Sequence, residues 1–305
     1  MTSVPATDPP SVLVVGEALV DIVRAPDGDR EFPGGSPLNV AFGLARLGIA
    51  TTLQTRIGRD AHGERVRGHL GSAGVALWPG SEDAPRTSTA VARIGADGTA
   101  SYEFDIRWDV EPIAVPPVFS AVHAGSIAAF LEPGATAVRR TLAGAAGSAL
   151  VTFDPNIRPA LVGARQSALA AFEETVGLAG VVKLSDEDAE WLYPGSDVDD
   201  VLARVLDLGA DLAVCTLGAA GARLRTRAHA VNVPAVRVPV ADTIGAGDSF
   251  MSCLLAELLQ RDDPPRELDS AALSAVGAMA VRAAAITVGR PGAQPPTAAE
   301  LGELL

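Results

Sequence analysis

The residues best suited to chemistry stand near the C-terminal end, in ADTIGAGDSFMSCLLAELL, Ala241 to Leu259. Two carboxylates, Asp242 and Asp248, bracket Gly245, Ala246 and Gly247, and an apolar run without proline follows. Such a run begins a helix, whose first turn offers unpaired N–H groups and the positive end of a dipole. The small residues let a phosphate approach those N–H groups closely. Asp248, in the same turn, is either an acid satisfying the dipole or a general base beside an anion cradle. A base next to a cradle fits transfer of a phosphoryl group to a hydroxyl. The chain has no G-x-x-x-x-G-K-[ST], so the cradle is not a P-loop. Gly16 alone follows the first apolar run, so the dinucleotide fingerprint is missing as well.

The elements around this loop read as an α/β protein. SVLVVG is a buried first strand. Ser36 caps a helix with Pro37 at its first position, and Gly48 stops it. TTLQTRIG is the next strand and DAHGERVRGHLGSAG a second helix. From Thr87, two alternating runs around GADG signal a hairpin that interrupts the alternation. The reading puts it outside the main sheet, in a small β lid made of segments near 20–33 and 87–108. Strand–helix units then resume from AVHAG to LAVCTLG, which implies a mostly parallel central sheet with helices on both faces. GARLRTRAHAVNVPAVRV reads as antiparallel edge strands, AALSAVGAMAVRAAAITV as a buried helix running into a strand, and a short helix follows Pro296. No linker divides the chain, so the expectation is one domain over 11–305 behind a flexible tail at 1–10. Ligands bind an open parallel sheet at the carboxyl ends of its strands. Polar clusters at Glu17–Asp21, Asp154–Arg158, Lys183–Asp188, Thr216–Gly221 and Asp242–Asp248 fall there.

Bulk properties narrow the function classes. Of the 305 residues, 48% are apolar and 20% charged, enough to bury a large core. A net charge of -13 opposes binding to nucleic acid or anionic membranes. The N-terminus lacks the basic and apolar regions of a secretory signal, so a cytoplasmic protein is expected. Cys215 and Cys253 lie in separate apolar runs and read as buried thiols, and no histidine has metal-ligand spacing.

Two longer stretches carry a resemblance. DTIGAGDSF resembles the C-terminal signature of the ribokinase (PfkB) family of carbohydrate kinases, and PGGSPLNVAFGLARLG its N-terminal signature. The likeness spans about residues 11–296. It implies a ribokinase-like fold and transfer of the ATP γ-phosphate to a sugar hydroxyl, with Asp248 as base and Gly245, Ala246 and Gly247 as the anion hole. Asp21, Gly34, Gly35 and Asn39 match sugar binders; Arg158 would face the phosphates or an anionic substrate group, and Arg107, at the lid, either a substrate carboxylate or a neighbouring lid strand. Lys183, Ser185, Thr216, Gly218, Gly221 and Asn156 fall on the ATP side. KLSDEDAEWL sits where the family often carries Asn-x-x-Glu, which organises Mg²⁺ through water. Ser185 and Asp188 hold those places here, a hydroxyl replacing the amide; a plain helix cap is the other reading of that pair. Some members hold K⁺ beside the anion hole. The matching positions are Asp242, Ile244, Thr287, Arg290 and Gly292, with Pro296 where a serine is expected.

GEALVDIV together with DPNIR resembles the fructokinase and 2-keto-3-deoxygluconate kinase branches. Fructose is the expected acceptor, with 2-keto-3-deoxygluconate or ribose as alternatives. An exposed apolar face on the hairpin (Val91, Ile94, Tyr102, Phe104) suggests pairing of two lids, hence a homodimer. A sugar-binding regulator without turnover is the rival from another class.

Overall fold

The structure is a computed structural model, and it describes residues 9–25, 28–94 and 100–302. The chain runs β1 (Ser11–Val15), β2 (Leu19–Ala25), β3 (Gly28–Gly34), α1 (Ser36–Arg46), β4 (Ala50–Gln54), α2 (Ala61–Ser72), β5 (Ala76–Leu77), β6 (Ser88–Ile94) and β7 (Ala100–Asp105). It continues through β8 (Ala121–Gly125), α3 (Gly134–Ala145), β9 (Leu150–Asp154), α4 (Arg165–Val176), β10 (Val181–Ser185), α5 (Asp186–Leu192), α6 (Val198–Asp207) and β11 (Leu212–Thr216). Last come β12 (Ala222–Arg225), β13 (Ala230–Val233), α7 (Ala246–Leu259), α8 (Ser270–Val288) and α9 (Ala298–Gly302).

Nine strands form the main sheet in the order β13-β12-β11-β10-β9-β8-β1-β4-β5. All pairs from β11 to β5 are parallel, and β12 and β13 turn back antiparallel at one edge. Continuous apolar strands are what such a sheet requires, since both faces are covered. Val12 and Val14 pack with Leu38, Leu254 and Leu273 beneath α1, α7 and α8. Leu13 and Val15 point the other way, into a core with Val122, Phe153 and Phe172. The helix α7 is apolar nearly all round because it is wedged between α1 and α8. Burying its Phe250, Met251 and Leu254 contributes about 1.5–3 kcal/mol each, which anchors the first turn on which Asp248 sits.

The hairpin lies outside the main sheet as expected. It joins β2 and β3 in a four-stranded sheet, β3-β2-β6-β7, in which only the β2–β6 pair is parallel. The GADG turn falls outside the described residues. Its apolar face differs from the expectation. Val91 turns into the core, whereas Tyr102 and Phe104 are exposed, joined by Phe32 on β3. Cross-strand register explains this: Phe32, Asp21, Ala90 and Phe104 form one row and share a face, and Val91 alternates to the other.

Two local readings are corrected. Gly35, not Ser36, is the N-cap of α1, and the Ser36 hydroxyl is used elsewhere. The α8 helix runs unbroken through Ile286, Thr287 and Val288, where β-branched residues suggested a strand. Tertiary packing overrides that propensity: the Thr287 hydroxyl bonds the Ala283 carbonyl and the Ser249 hydroxyl of α7, and Gly289 ends the helix. By length and composition α8 could cross a membrane, but half of it is buried here, against α7, β12 and β13.

Candidate active site

The carboxyl ends of β1, β9, β10 and β11 meet the first turns of α1 and α7. Gly245 starts α7 at φ 75, and an added Cβ there would lie 2.5 Å from that of Ala293, so the turn accepts glycine alone. The Ala246 N–H donates to the Thr243 carbonyl at 3.3 Å, a long bond that an incoming anion could displace.

Asp248 is buried, and α1 supplies both its partners. The Ser36 hydroxyl donates to Oδ1 at 2.6 Å and the Asn39 amide to Oδ2 at 2.8 Å. The two signatures, more than 200 positions apart, therefore converge on one carboxylate. Asn39, expected to read a sugar hydroxyl, spends one amide N–H on the acid, which leaves its second N–H and its oxygen free for that task. Ser36, read as a cap, joins the site through a contact that sequence spacing could not announce.

Below this turn lies a row of buried polar side chains on the strands. The Lys183 ammonium pairs with Asp154 at 2.9 Å, both almost fully buried, and lies 3.1 Å from where a Cβ on Gly247 would stand. Burial pulls the Lys183 amine down, but the carboxylates of Asp154, Asp188 and Asp248 outweigh it and hold the amine above its ordinary value. Burial lifts the Asp154 carboxyl, and the Lys183 ammonium pulls it back down. His123, two strands away on β8, is buried and bonded to Thr152, and desolvation beside Lys183 drops it to about 3. One cation thus stands beneath the glycine turn, facing three acids.

Asp188 is committed locally. With Ser185 it forms a capping box at the start of α5, and it accepts the Ile157 N–H at 2.7 Å. That fixes the DPNIR loop, where Asn156 takes φ 36 and receives the Arg158 guanidinium on its Oδ1 at 2.7 Å. The cap reading of Ser185 therefore holds, and neither Asp188 oxygen is left without a donor. Thr216 ends β11, and Gly218 and Gly221 flank the 3-10 turn after it. Gly221 has φ 98 and lies against the Val233 carbonyl of β13, so its backbone serves that turn.

At the other end of the cleft, Asp21 stands on β2 against Gly34 of β3, where a side chain on Gly34 would collide with the carboxylate. Asp21 reaches solvent at the mouth of the cleft, yet surrounding protein desolvates it and lifts it to about 6, with Arg158 pulling the other way. Gly35 has φ 109 and packs on the Glu17 carbonyl. Arg107 is exposed at the base of the second sheet, its N–H on Ser88 Oγ at 3.1 Å. Asp60, not singled out from sequence, caps α2 and binds Thr87 twice, tying α2 to the foot of β6.

The candidate cation loop also closes. Asp242 accepts the N–H groups of Ile244 and Gly292, at 3.0 and 2.9 Å, which hold its carboxyl below the ordinary range. Thr287 is buried in α8, and Arg290 pairs with Glu300 of α9 at 2.6 Å. Both Asp242 oxygens thus accept backbone N–H groups, while the Thr287 and Gly292 carbonyls accept from the N–H groups of Arg290 and Gln294. Among the described residues no three acidic, histidine or cysteine side chains cluster as a metal cage. A separate cavity of about 840 Å³, lined by Gln54, Trp78 and Asp109 among others, contains none of these site residues.

An open parallel sheet, a glycine turn at a buried helix start and a carboxylate held inside it define a phosphoryl-transfer enzyme of the ribokinase-like fold. The chain belongs to the pfkB family carbohydrate kinases, whose model matches residues 9–300. It is 34% identical to a fructokinase of Rhizobium leguminosarum bv. trifolii, over 81% of this chain and 79% of that protein. Among solved structures, the ATP-bound fructokinase of Xylella fastidiosa superposes with a TM-score of 0.83 at 26% identity, covering 96% of this chain and 97% of that one. A fructokinase double mutant of Vibrio cholerae O395, with fructose, ADP and potassium ion bound, gives 0.79 at 27% identity, covering 98% and 99%.

Proposed function

We propose that this chain is an ATP-dependent fructokinase in which Asp248 takes the proton from the acceptor hydroxyl. The observation that carries the reading is Asp248 itself: buried in the first turn of α7 and oriented by Ser36 and Asn39. A carboxylate fixed on both oxygens keeps its geometry through the reaction, which is what a general base needs. As the γ-phosphate leaves ADP, its charge falls on the N–H groups of Gly245, Ala246 and Gly247 and on Lys183 beneath them. Asp154 holds Lys183 charged and in place until the phosphate arrives. Asp21 and the backbone at Gly34 and Gly35 read sugar hydroxyls, and Thr216, Gly218 and Asn156 border the nucleotide. Magnesium bound with the ATP phosphates would neutralise their charge, with Asp188 the acid that could reach it through water. Asp242 with the carbonyls of Ile244, Thr287, Arg290 and Gly292 would hold K⁺, stiffening the turn before Gly245.

The β3-β2-β6-β7 sheet acts as the lid of a single 11–302 catalytic unit. Its face with Phe32, Tyr102 and Phe104 pairs with a second copy, giving a homodimer. Dependence on ATP and the absence of a secretory pattern at the N-terminus support a cytoplasmic enzyme. An acidic keto-sugar is the second acceptor class, favoured by Arg158, whose guanidinium makes no ion pair among the described residues. Coupled ADP release with fructose, ribose, 2-keto-3-deoxygluconate, tagatose, adenosine and fructose 6-phosphate, each with and without K⁺, tests the proposal. Fructose should have the highest kcat/KM; a clear preference for another acceptor rejects the fructokinase reading. Sugar binding without turnover would make the chain a regulator.

A further inference from the structure

Glu17 is a buried acid for which the mechanism above has no use. It closes the end of β1, with 4% of its surface exposed. It touches several parts of the sugar end at once. One carboxyl oxygen accepts the Ala128 N–H at 3.3 Å, and the Ser126 side chain draws the same carboxyl down. Ser126 opens the 3-10 turn after β8 at φ 54, a left-handed conformation costly for any residue but glycine. The Glu17 carbonyl lies under Gly35, 2.6 Å from where a Cβ would stand. The positive charge of Arg158, from the loop after β9, pulls down the carboxyls of both Glu17 and Asp21.

We propose that Glu17 is a positioning residue for the sugar end of the cleft, acting in its protonated form. It ties β1 to the Ser126–Ala129 turn, and by staying neutral it leaves the Arg158 guanidinium to Asp21 and the substrate. Burial is the dominant influence on its carboxyl, lifting it to about 8, while Ser126, Ala128 and Arg158 pull it down. At pH 7 the proton is therefore present. Loss of it would create a second negative charge that competes with Asp21 for Arg158 and draws it away from the sugar. The inference rests on the sugar-kinase reading but on no particular acceptor.

The test compares the parent with Glu17→Gln, which keeps shape and neutrality, and Glu17→Ala, which removes the tie. With the parent's best acceptor, sugar KM should climb above pH 8, approaching tenfold per pH unit as a one-proton linkage, while ATP KM stays level. Glu17→Gln should keep kcat within about twofold and lose the alkaline climb. Glu17→Ala should raise sugar KM at pH 7 and leave ATP KM unchanged. A second readout needs no substrate. Because the folded protein holds the Glu17 proton from about 4.5 to 8 and the unfolded chain does not, parent stability falls as pH rises through that window. The melting temperature of Glu17→Gln should therefore gain on the parent from pH 5 to pH 8 and then level off. A constant melting difference, or an alkaline KM climb that persists in Glu17→Gln, overturns the proposal. A parent inactive on every sugar contradicts the kinase reading instead, and the melting comparison still decides the state of Glu17.

Discussion

At the proposed phosphate end of the site, Asp248 sits in the first turn of α7, clamped between α1 and α8 over a buried Lys183–Asp154 pair. At the sugar end, Asp21 stands on a four-stranded sheet whose face bearing Phe32 and Tyr102 is open to solvent. The first region is preorganised and the second is adaptable. That difference follows from their tasks. Phosphate chemistry is common to every acceptor and gains from fixed dipoles, whereas a sugar must enter, be enclosed and leave.

The comparison can be broken at several points, with effects that should fall from one end to the other. Gly247→Val pushes a branched side chain toward the Lys183 ammonium, 3.1 Å from the Cβ position. It should cut kcat by about 10²–10³ with folding retained; single-turnover rates would show it. Lys183→Met leaves Asp154 buried without a partner and should cost about 3–5 kcal/mol of stability, read by denaturant unfolding. If that variant lost activity at unchanged stability, the pair would be catalytic only. Gly34→Ala, at the open end, should raise sugar KM roughly tenfold to a hundredfold while leaving ATP KM alone, because it displaces Asp21 without touching α7.

The pH profile sharpens the same contrast. Asp21 must be ionised to accept sugar hydroxyls, and desolvation lifts its carboxyl to about 6. The kcat/KM for sugar should therefore rise as pH climbs through 6. A profile flat from pH 5 to pH 7 would remove Asp21 from the pocket. The smallest effect is expected at the rim. Glu300 accepts from Arg290 and from Thr297, bonds that hold its carboxyl down at about 2. Glu300→Gln should cost under about 1 kcal/mol near neutral pH, since the ion pair is partly open to solvent. That contribution is complete above about 4.5 and disappears as pH falls toward 2.

The two regions also differ in how plainly the sequence announced them. The helix start at Gly245 and the parallel sheet were legible because their signals are local: small residues before an apolar run, and strand–helix alternation. The partners of Asp248 were only half legible. Asn39 and Ser36 stood in a recognisable motif, but their convergence on Asp248 is a tertiary contact that no spacing encodes. Lys183 was noted at a strand end, yet its pairing with Asp154 depends on the register of β9 against β10. Glu17 looked like one more acid in a polar cluster, because burial, which decides its protonation, is set by the turn at Ser126. The aromatic face of the small sheet was misjudged at Val91, since alternation gives two faces without saying which one meets the core.

The central claim is that Asp248 is the base of a sugar kinase, and the most direct measurement is ADP release by Asp248→Asn with ATP and fructose, alongside calorimetric binding of both. The account predicts that both substrates still bind within a few-fold of the parent while kcat falls by about 10²–10⁴. Turnover at the parent's rate would contradict it.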